Sequence, residues 1–215
     1  MPLSSSPLPI HSGQARRWLA GGALAALCLA SACGGAEEAP EADAPEPPPP
    51  LESVEIAGVR LEPRTMVSDQ VSLLMPVGLE LMDAETLAFK YPSDPRPTEV
   101  YTDETGLLNL IVNHTAEAMT PEGLDQARQF TEQMFGKMDP TVEWIASEMR
   151  TVQGRDWFHL DFRSTASGYS IRNMMSATSL DGTMLMVTVN MTDNLEPAWA
   201  ETAGAVLASV QVRGD

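Results

Sequence analysis

Short apolar or alternating segments, separated by turn residues, predict a set of β-strands in this chain. Six such segments run over 70–75, 98–101, 107–114, 155–163, 169–179 and 183–191. Asp181-Gly182, between the last two, is a strong signal for a tight hairpin because both residues accept a positive φ. The pattern therefore predicts an antiparallel sheet with three successive long strands at its centre.

Two segments repeat apolar residues at helical spacing. The first begins at Thr120-Pro121, which supplies an N-cap and a proline at the first helical position, and it extends to Lys137 or Met138. Its apolar residues are Leu124, Ala127, Phe130, Met134 and Met138. The second begins at Pro197, and its apolar stripe consists of Trp199, Ala203, Val206, Leu207 and Val210.

Both faces of the predicted sheet carry large apolar side chains. If residues 164–168 form the loop after the first of the three long strands, one face holds Phe158, Met174, Val187 and Val189, and the other holds Trp157, Met175 and Met186. A sheet with two apolar faces needs a packed layer, such as a helix, on each of them. We therefore predict an α+β domain in which an antiparallel β-sheet is flanked by helices on both faces.

The first 32 residues have the organisation of a secretory signal peptide. Arg16 and Arg17 precede an apolar run over 18–30, which is too short for a permanent transmembrane helix. The run is followed by Leu29-Ala30-Ser31-Ala32-Cys33, which resembles the lipobox of bacterial lipoproteins. The resemblance implies that Cys33 becomes the mature N-terminus and carries acyl chains such as palmitate. Ordinary cleavage at Ala30-Ser31-Ala32, which would leave Cys33 unmodified, is the alternative.

Residues 33–52 form an acidic, proline-rich tether. Gly34–Glu52 contains six prolines and six acidic residues, and it has no aromatic or β-branched side chain with which to build a core. Pro47–Pro50 favours an extended polyproline II segment. Gly34 is not the Asp that retains some lipoproteins in the inner membrane, so we expect attachment to the outer membrane of a bacterial cell envelope. Residues 53–215 then form the folded domain.

Charge and cysteine content exclude several classes of function. The chain of 215 residues has 30 acidic and 13 basic side chains, and its formal charge of −17 disfavours nucleic acid as a partner. The two cysteines, Cys28 and Cys33, both lie in the first 33 residues, so the folded domain has neither a disulfide framework nor a cysteine zinc site. No sequence motif for a nucleophile elbow, a zinc protease or a phosphate loop is present.

The segment Val71-Ser72-Leu73-Leu74-Met75-Pro76-Val77-Gly78-Leu79 resembles the opening signature of the PsbP-like fold. This fold is shared by extrinsic photosystem subunits, a Ran-binding nuclear-import factor and DcrB-like bacterial lipoproteins. The order of the later predicted strands and helices is similar to the same pattern. The resemblance implies a scaffold or binding role and transfers no catalytic residue, because members of the fold have unrelated functions.

Two groups of side chains are candidates for chemistry. Trp157, His159, Asp161 and Arg163 share one side of a strand, and a His–Asp pair can act as a general base or hold a metal. However, side chains at i and i+2 of a strand lie about 7 Å apart, too far for a direct hydrogen bond. A polar sheet face is the alternative interpretation, and we expect no catalytic residue.

The second group consists of methionines. Met175, Met184 and Met186 share one predicted face, and thioethers select Cu(I), so these residues with His159 nearby are candidate copper ligands. The alternative is that the methionines fill the core or line an adaptable binding surface. We expect no resident cofactor or metal, a lipid bilayer contacted through Cys33, and a protein partner in the envelope. The function that follows is a non-catalytic binding or scaffold domain, with Cu(I) or small-ligand binding as the alternative.

Overall fold

The computed structural model describes residues 48–166 and 168–213 of the chain. The signal peptide, Cys33 and most of the tether lie outside the described residues. In chain order, the strands and helices are β1 (Val54–Ile56), β2 (Val59–Met66), β3 (Val71–Pro76), β4 (Glu80–Leu81), α1 (Ala84–Lys90), β5 (Glu99–Thr102), β6 (Leu108–Ala118), α2 (Leu124–Met138), β7 (Glu143–Val152), β8 (Arg155–Ala166), β9 (Tyr169–Leu180), β10 (Thr183–Thr192), α3 (Glu196–Ala208) and β11 (Gln211–Val212). A short 3₁₀ turn, Pro121–Gly123, leads into α2.

A seven-stranded antiparallel sheet forms the centre of the domain, in the spatial order β4-β5-β6-β10-β9-β8-β7. Strands β7 to β10 form a meander of consecutive neighbours. The hairpin predicted at Asp181-Gly182 is confirmed, since both residues have positive φ, at 51° and 74°. Gln153-Gly154, between β7 and β8, forms a second turn of the same kind.

Helices α2 and α3 cover opposite faces of this sheet, as predicted. The apolar core on one face includes Ala203, Val206 and Leu207 of α3. The core on the other face includes Leu124 of α2, with Ala127 and Phe135 packed against it. The fold class predicted from the sequence, an α+β domain with an antiparallel sheet between helices, is therefore confirmed.

A second, four-stranded sheet in the order β1-β2-β3-β11 was not predicted. It packs on the α3 side of the large sheet, where Leu61, Val71 and Leu73 are buried in the same core as α3. Ser209 Oγ, at the end of α3, accepts a hydrogen bond of 2.9 Å from the backbone N–H of Leu74. Helix α3 is thus enclosed between the two sheets, whereas α2 lies on the surface.

The predicted division of side chains between the two faces was wrong for Phe158 and for Trp157, which lie on the opposite faces from those predicted. Phe158 pairs with Ala177, and Asp161 pairs with Met174, so Phe158 faces α2 together with Met175. Trp157, Met174, Val187 and Val189 face α3 instead. The cause is the loop between β8 and β9. Pairing continues to Ala166 opposite Tyr169, beyond the predicted strand end at 163, and this change of register by an odd number of residues moves Phe158 to the other face.

Candidate functional site

Helix α2 is fixed to one side of the sheet by a polar cluster. Arg128 Nη1 donates a hydrogen bond of 2.6 Å to Ser147 Oγ on β7, and Ser147 Oγ donates one of 2.7 Å to Glu132 Oε2. Arg128 Nε also donates to Asp125 Oδ1 at 2.9 Å, within the same helix. These contacts hold α2 over β7, β8 and β9, so part of β10 and β6 on the same face has no helix above it.

The uncovered part of this face forms a groove with a volume of ≈ 870 Å³, which we call the α2 groove. Its floor includes Met175 of β9 and Met184 and Met186 of β10. Phe130 and Met134 of α2 form one wall. Small-molecule and peptide sites are concave, mostly apolar clefts of about 300–1,000 Å³, so the groove has the size and lining of a binding site.

Two apolar residues of α2 that line the groove are exposed to solvent. Phe130 is 65% exposed and Met134 39% exposed, and Met138, one turn further along, is 71% exposed. The helical spacing in the sequence predicts a single apolar stripe that includes all three residues. The inward face instead follows Leu124, Ala127 and Phe135, and the apolar surface of α2 is therefore wider than the sheet beneath it can cover.

One end of the groove is closed by the segment before α2. The backbone N–H of Met119 donates to the carbonyl of Gly182 at 2.9 Å, and Ser179 Oγ donates to the carbonyl of Met119 at 2.7 Å. These bonds bring Met119 to the groove beside the hairpin. Five methionines, at positions 119, 134, 175, 184 and 186, thus line one cavity.

The α2 groove has no basic side chain among the described residues that line it. Its polar rim includes Glu117, Asn113 and Gln126. Glu122, in the 3₁₀ turn that leads into α2, is also acidic. The groove is therefore an apolar surface with an acidic border.

Comparison with solved structures found proteins similar to this domain. The solution structure of the cyanobacterial PsbP protein CyanoP from Synechocystis sp. PCC 6803 superposes with a TM-score of 0.54, at 17% identity over 77% of this chain and 98% of that one. The domain has the PsbP-like fold. The crystal structure of LpqN, a protein involved in cell envelope biogenesis of Mycobacterium tuberculosis, gives a TM-score of 0.47 at 13% identity over 74% of this chain and 97% of that one. No family model and no curated protein matches the sequence.

The PsbP-like domain brings the three candidate methionines of the sheet together but separates them from His159. Met175, Met184 and Met186 line the α2 groove. His159 pairs with Ser176 and faces α3, on the opposite side of the sheet. The grouping of His159 with the methionines was wrong, because it depended on the same register error that misplaced Phe158.

His159 and Asp161 share the α3 face of the PsbP-like domain but do not bond to each other. His159 is 2% exposed, and its Nδ1 lies 3.1 Å from Ser176 Oγ. Asp161 accepts two hydrogen bonds from Arg172, at 3.0 and 2.7 Å. The expectation that the two side chains are too far apart for a direct hydrogen bond is confirmed. Both side chains are buried.

Burial, together with the nearby charge of Arg150, lowers the pKa of His159 from its ordinary value of 6.5 to about 4, against the opposing effect of Asp161. The folded protein therefore keeps this imidazole neutral at pH values at which the unfolded chain protonates it. Stability from this residue is complete above pH 6.5 and is lost as the pH falls from 6.5 towards 4. We expect a loss of about 2–3 kcal/mol over this range, at 1.36 kcal/mol for each pKa unit.

The measurement is the free energy of unfolding by urea at several pH values between 4 and 7, for the wild-type protein and for His159→Gln. Carboxylates contribute equally to both proteins, so the difference between the two curves isolates the histidine. Parallel curves would show that His159 is not held neutral by the fold.

The described residues contain no group of three or more His, Cys, Asp or Glu side chains that could hold a metal ion. In residues 48–166 and 168–213, no helix has the length and apolarity needed to cross a bilayer. Cys33, the predicted lipidation site, precedes these residues. The α2 groove is thus the main candidate site of the PsbP-like domain.

Proposed function

We propose that the protein is a membrane-anchored lipoprotein of the bacterial cell envelope whose PsbP-like domain has no catalytic activity and binds a protein partner. The partner inserts a basic amphipathic segment into the α2 groove. One observation carries this proposal: Phe130 and Met134 project from α2 beside a methionine floor, exposed to solvent. Large apolar side chains exposed together next to a cavity are typical of an interaction site.

The lining of the groove selects the kind of partner. Methionine is unbranched and flexible, so a methionine-rich groove adapts to a helical or extended apolar segment of another protein. The acidic border and the formal charge of −17 favour basic residues on either side of that segment. A nucleic acid, which is also a polyanion, is disfavoured for the same reason.

The route of the tether supports this arrangement. Gln211 Nε2 on β11 donates a hydrogen bond of 2.9 Å to the carbonyl of Pro49, so the end of the tether is attached to the small sheet. The small sheet lies on the α3 side of the large sheet, and the α2 groove is on the other side. A chain anchored through acylated Cys33 would thus present the groove away from the attachment point of its tether.

The polar groups of the domain support a non-catalytic role. Asp161 is engaged by Arg172, and the imidazole of His159 is buried and bonded to Ser176. Neither ring nor carboxylate lines the α2 groove. A hydrolase built on this pair would need both groups at a common substrate.

Binding is tested with two labelled amphipathic helical peptides, one of leucine and lysine and one of leucine and glutamate. We expect the full-length protein to bind the basic peptide and not the acidic one, by fluorescence anisotropy. Phe130→Ser should weaken the interaction about tenfold, which is the effect of losing one central apolar contact.

Phe89→Ser is the matched control, because Phe89 is 86% exposed on α1 and does not line the groove. It should bind the basic peptide like the wild-type protein. Equal weakening by Phe89→Ser and Phe130→Ser, or equal binding of the two peptides, would contradict the proposal. A photoreactive residue at position 130, compared with one at position 89, would then identify the natural partner in intact cells.

Cu(I) binding is a second candidate function, favoured by the five methionines that line the groove. The triple variant Met175→Leu, Met184→Leu and Met186→Leu removes three thioethers at nearly constant volume. If copper is the ligand, this variant loses Cu(I) affinity in an anaerobic competition titration. If a peptide is the ligand, the variant still binds the basic peptide, and the wild-type protein holds Cu(I) no better than the variant.

The anchor has its own test. Mass spectrometry of the mature N-terminus should show an acylated Cys33, and Cys33→Ser should release the protein from the membrane fraction. An unmodified N-terminus at Cys33 or elsewhere would remove the membrane anchor from the proposal and leave an exported domain. Fractionation of the two membranes tests the outer-membrane location, which the absence of Asp at position 34 favours.

A further inference from the structure

A second cavity, of ≈ 340 Å³, lies on the face of the large sheet opposite the α2 groove. It is bounded by β7, β8 and β9 and by the C-terminal half of α3, and we call it the α3 pocket. Residues that line it include Arg150 on β7, Trp157 and His159 on β8, Ser176 on β9, and Gly204 and Leu207 on α3. It is separate from the groove assigned to the partner protein.

Two buried side chains of the α3 pocket have ring nitrogens without a partner. Trp157 and His159 are each 2% exposed. The indole Nε1 of Trp157 has no hydrogen-bond partner among the described residues. The imidazole of His159 uses Nδ1 towards Ser176, and its Nε2 has no partner in residues 48–166 and 168–213. Since buried polar groups in folded proteins are almost always bonded, the unpaired indole nitrogen of Trp157 indicates a ligand.

The polar groups of the pocket are mainly donors. Indole Nε1–H can only donate. When Ser176 donates its hydroxyl hydrogen to Nδ1 of His159, the neutral imidazole carries its own hydrogen on Nε2 and donates from there. Arg150 adds a guanidinium group that always donates. Three donors, one of them charged, match an oxyanion.

Apolar walls limit the rest of the ligand. Val152, Leu207 and Ala208 line the pocket beside the donors. Gly204 lies in the interior of α3, where glycine is less favourable than alanine, and a side chain there would occupy space beside the pocket. These walls fit a compact apolar body attached to the anionic group.

We propose that the α3 pocket binds a small carboxylate with a compact apolar body, held by Arg150, Trp157 and His159. Arg150 is paired in the unliganded protein with Glu148, to which its Nε donates at 2.8 Å. Both residues are about half exposed, at 47% and 50% of their side chains. Glu148 therefore competes with the ligand for the guanidinium, and this competition gives two substitutions with opposite expected effects.

The test uses benzoate as the probe and benzyl alcohol as its neutral counterpart, with the full-length protein labelled with ¹⁵N at its tryptophan side chains. Benzoate should shift the Trp157 indole N–H signal downfield in a saturable way, and Trp157→Phe assigns that signal. Arg150→Gln should weaken benzoate binding at least fivefold, and Glu148→Gln should strengthen it severalfold, because the first removes the cation and the second its competitor.

Both substitutions are at partly exposed positions, so the variants are expected to fold, and their urea midpoints verify this. The absence of a saturable shift up to the solubility limit of benzoate would overturn the proposal. So would an equal shift with benzyl alcohol, or equal benzoate affinity in Arg150→Gln and Glu148→Gln. Loss of basic-peptide binding in the α2 groove would leave this result unchanged, so the two sites are tested independently.

Discussion

Arg172→Ala is expected to lower the free energy of unfolding by about 3–5 kcal/mol, the usual effect of removing one partner of a buried ion pair. Arg172 lies between two carboxylates, Asp161 on β8 and Glu196 at the start of α3, with contacts of 2.7 and 3.0 Å. The Asp161 side chain is only 7% exposed. Without the guanidinium, a buried carboxylate is left without a partner, and α3 loses a connection to the sheet.

Arg60→Ala is the matched control. Arg60 forms a comparable 2.9 Å pair with Glu62, but both side chains are exposed, so its removal should change stability by less than about 1 kcal/mol. The double variant Asp161→Ala with Arg172→Ala should recover part of the loss, because the unpaired charge is gone. Urea denaturation of the four proteins measures these differences. A similar loss of unfolding free energy in Arg60→Ala and Arg172→Ala would show that the burial of Asp161 does not determine how much the Asp161–Arg172 ion pair contributes to stability.

The network also has a pH dependence. Hydrogen bonding to Arg163 lowers the pKa of Glu196, and the charges of Arg163 and Arg172 act in the same direction. A carboxyl group with a lowered pKa stabilises the folded state at neutral pH, and the stabilisation is lost as the pH falls through the folded pKa. The attachment of α3 to the sheet is therefore expected to weaken in acid.

Phe158→Ala should also destabilise the protein by about 3–5 kcal/mol, as expected for a large side chain removed from a packed core. Phe158 is fully buried beneath α2 and belongs to the smaller core with Leu124 and Leu160. Because it faces α2 rather than α3, we expect backbone hydrogen exchange to increase most in α2. Urea denaturation gives the magnitude, and hydrogen exchange gives the location.

Two variants separate location from general destabilisation. Leu185→Ala removes a fully buried side chain from the opposite core, where the small sheet and α3 pack, and should cost about 2–5 kcal/mol without a selective effect on α2. Phe89→Ala, at an exposed position, should have almost no effect. Faster exchange in α3 than in α2 after Phe158→Ala would contradict the register described for β8 and β9.

The α2 groove could be predicted from the sequence only in part. Met175, Met184 and Met186 were recognised as one cluster, because alternate residues of a strand share a face. The exposure of Phe130 and Met134 could not be predicted, since a helical stripe does not show how much of its width the neighbouring sheet will cover. On the helix surface, Phe130 and Met134 lie to one side of the line through Leu124 and Phe135. This position was the only sign in the sequence that the sheet would not cover them.

Several elements gave too weak a local pattern to be predicted. Strand β7 lies at the edge of the large sheet and is mostly exposed, so it lacks a continuous apolar face. Strand β2 contains Pro63 and several charged residues, and β11 has only two residues. Strand β11 also depends on a partner far away in the chain, since Gln211 pairs with Ser72.

The sequence by itself determined the features that neighbouring residues specify. These are the hairpin at Asp181-Gly182, the turn at Pro121 that leads into α2, the long strands β8 to β10, and an antiparallel sheet with an apolar surface on both sides. Only the tertiary structure decided which residues share a face across β8 and β9, how far α2 covers the sheet, and that Arg172 neutralises Asp161. The physical reason is that turns and periodicity are local, whereas register, coverage and burial depend on contacts between segments distant in the chain, and a shift of one residue reverses the direction of every side chain in a strand.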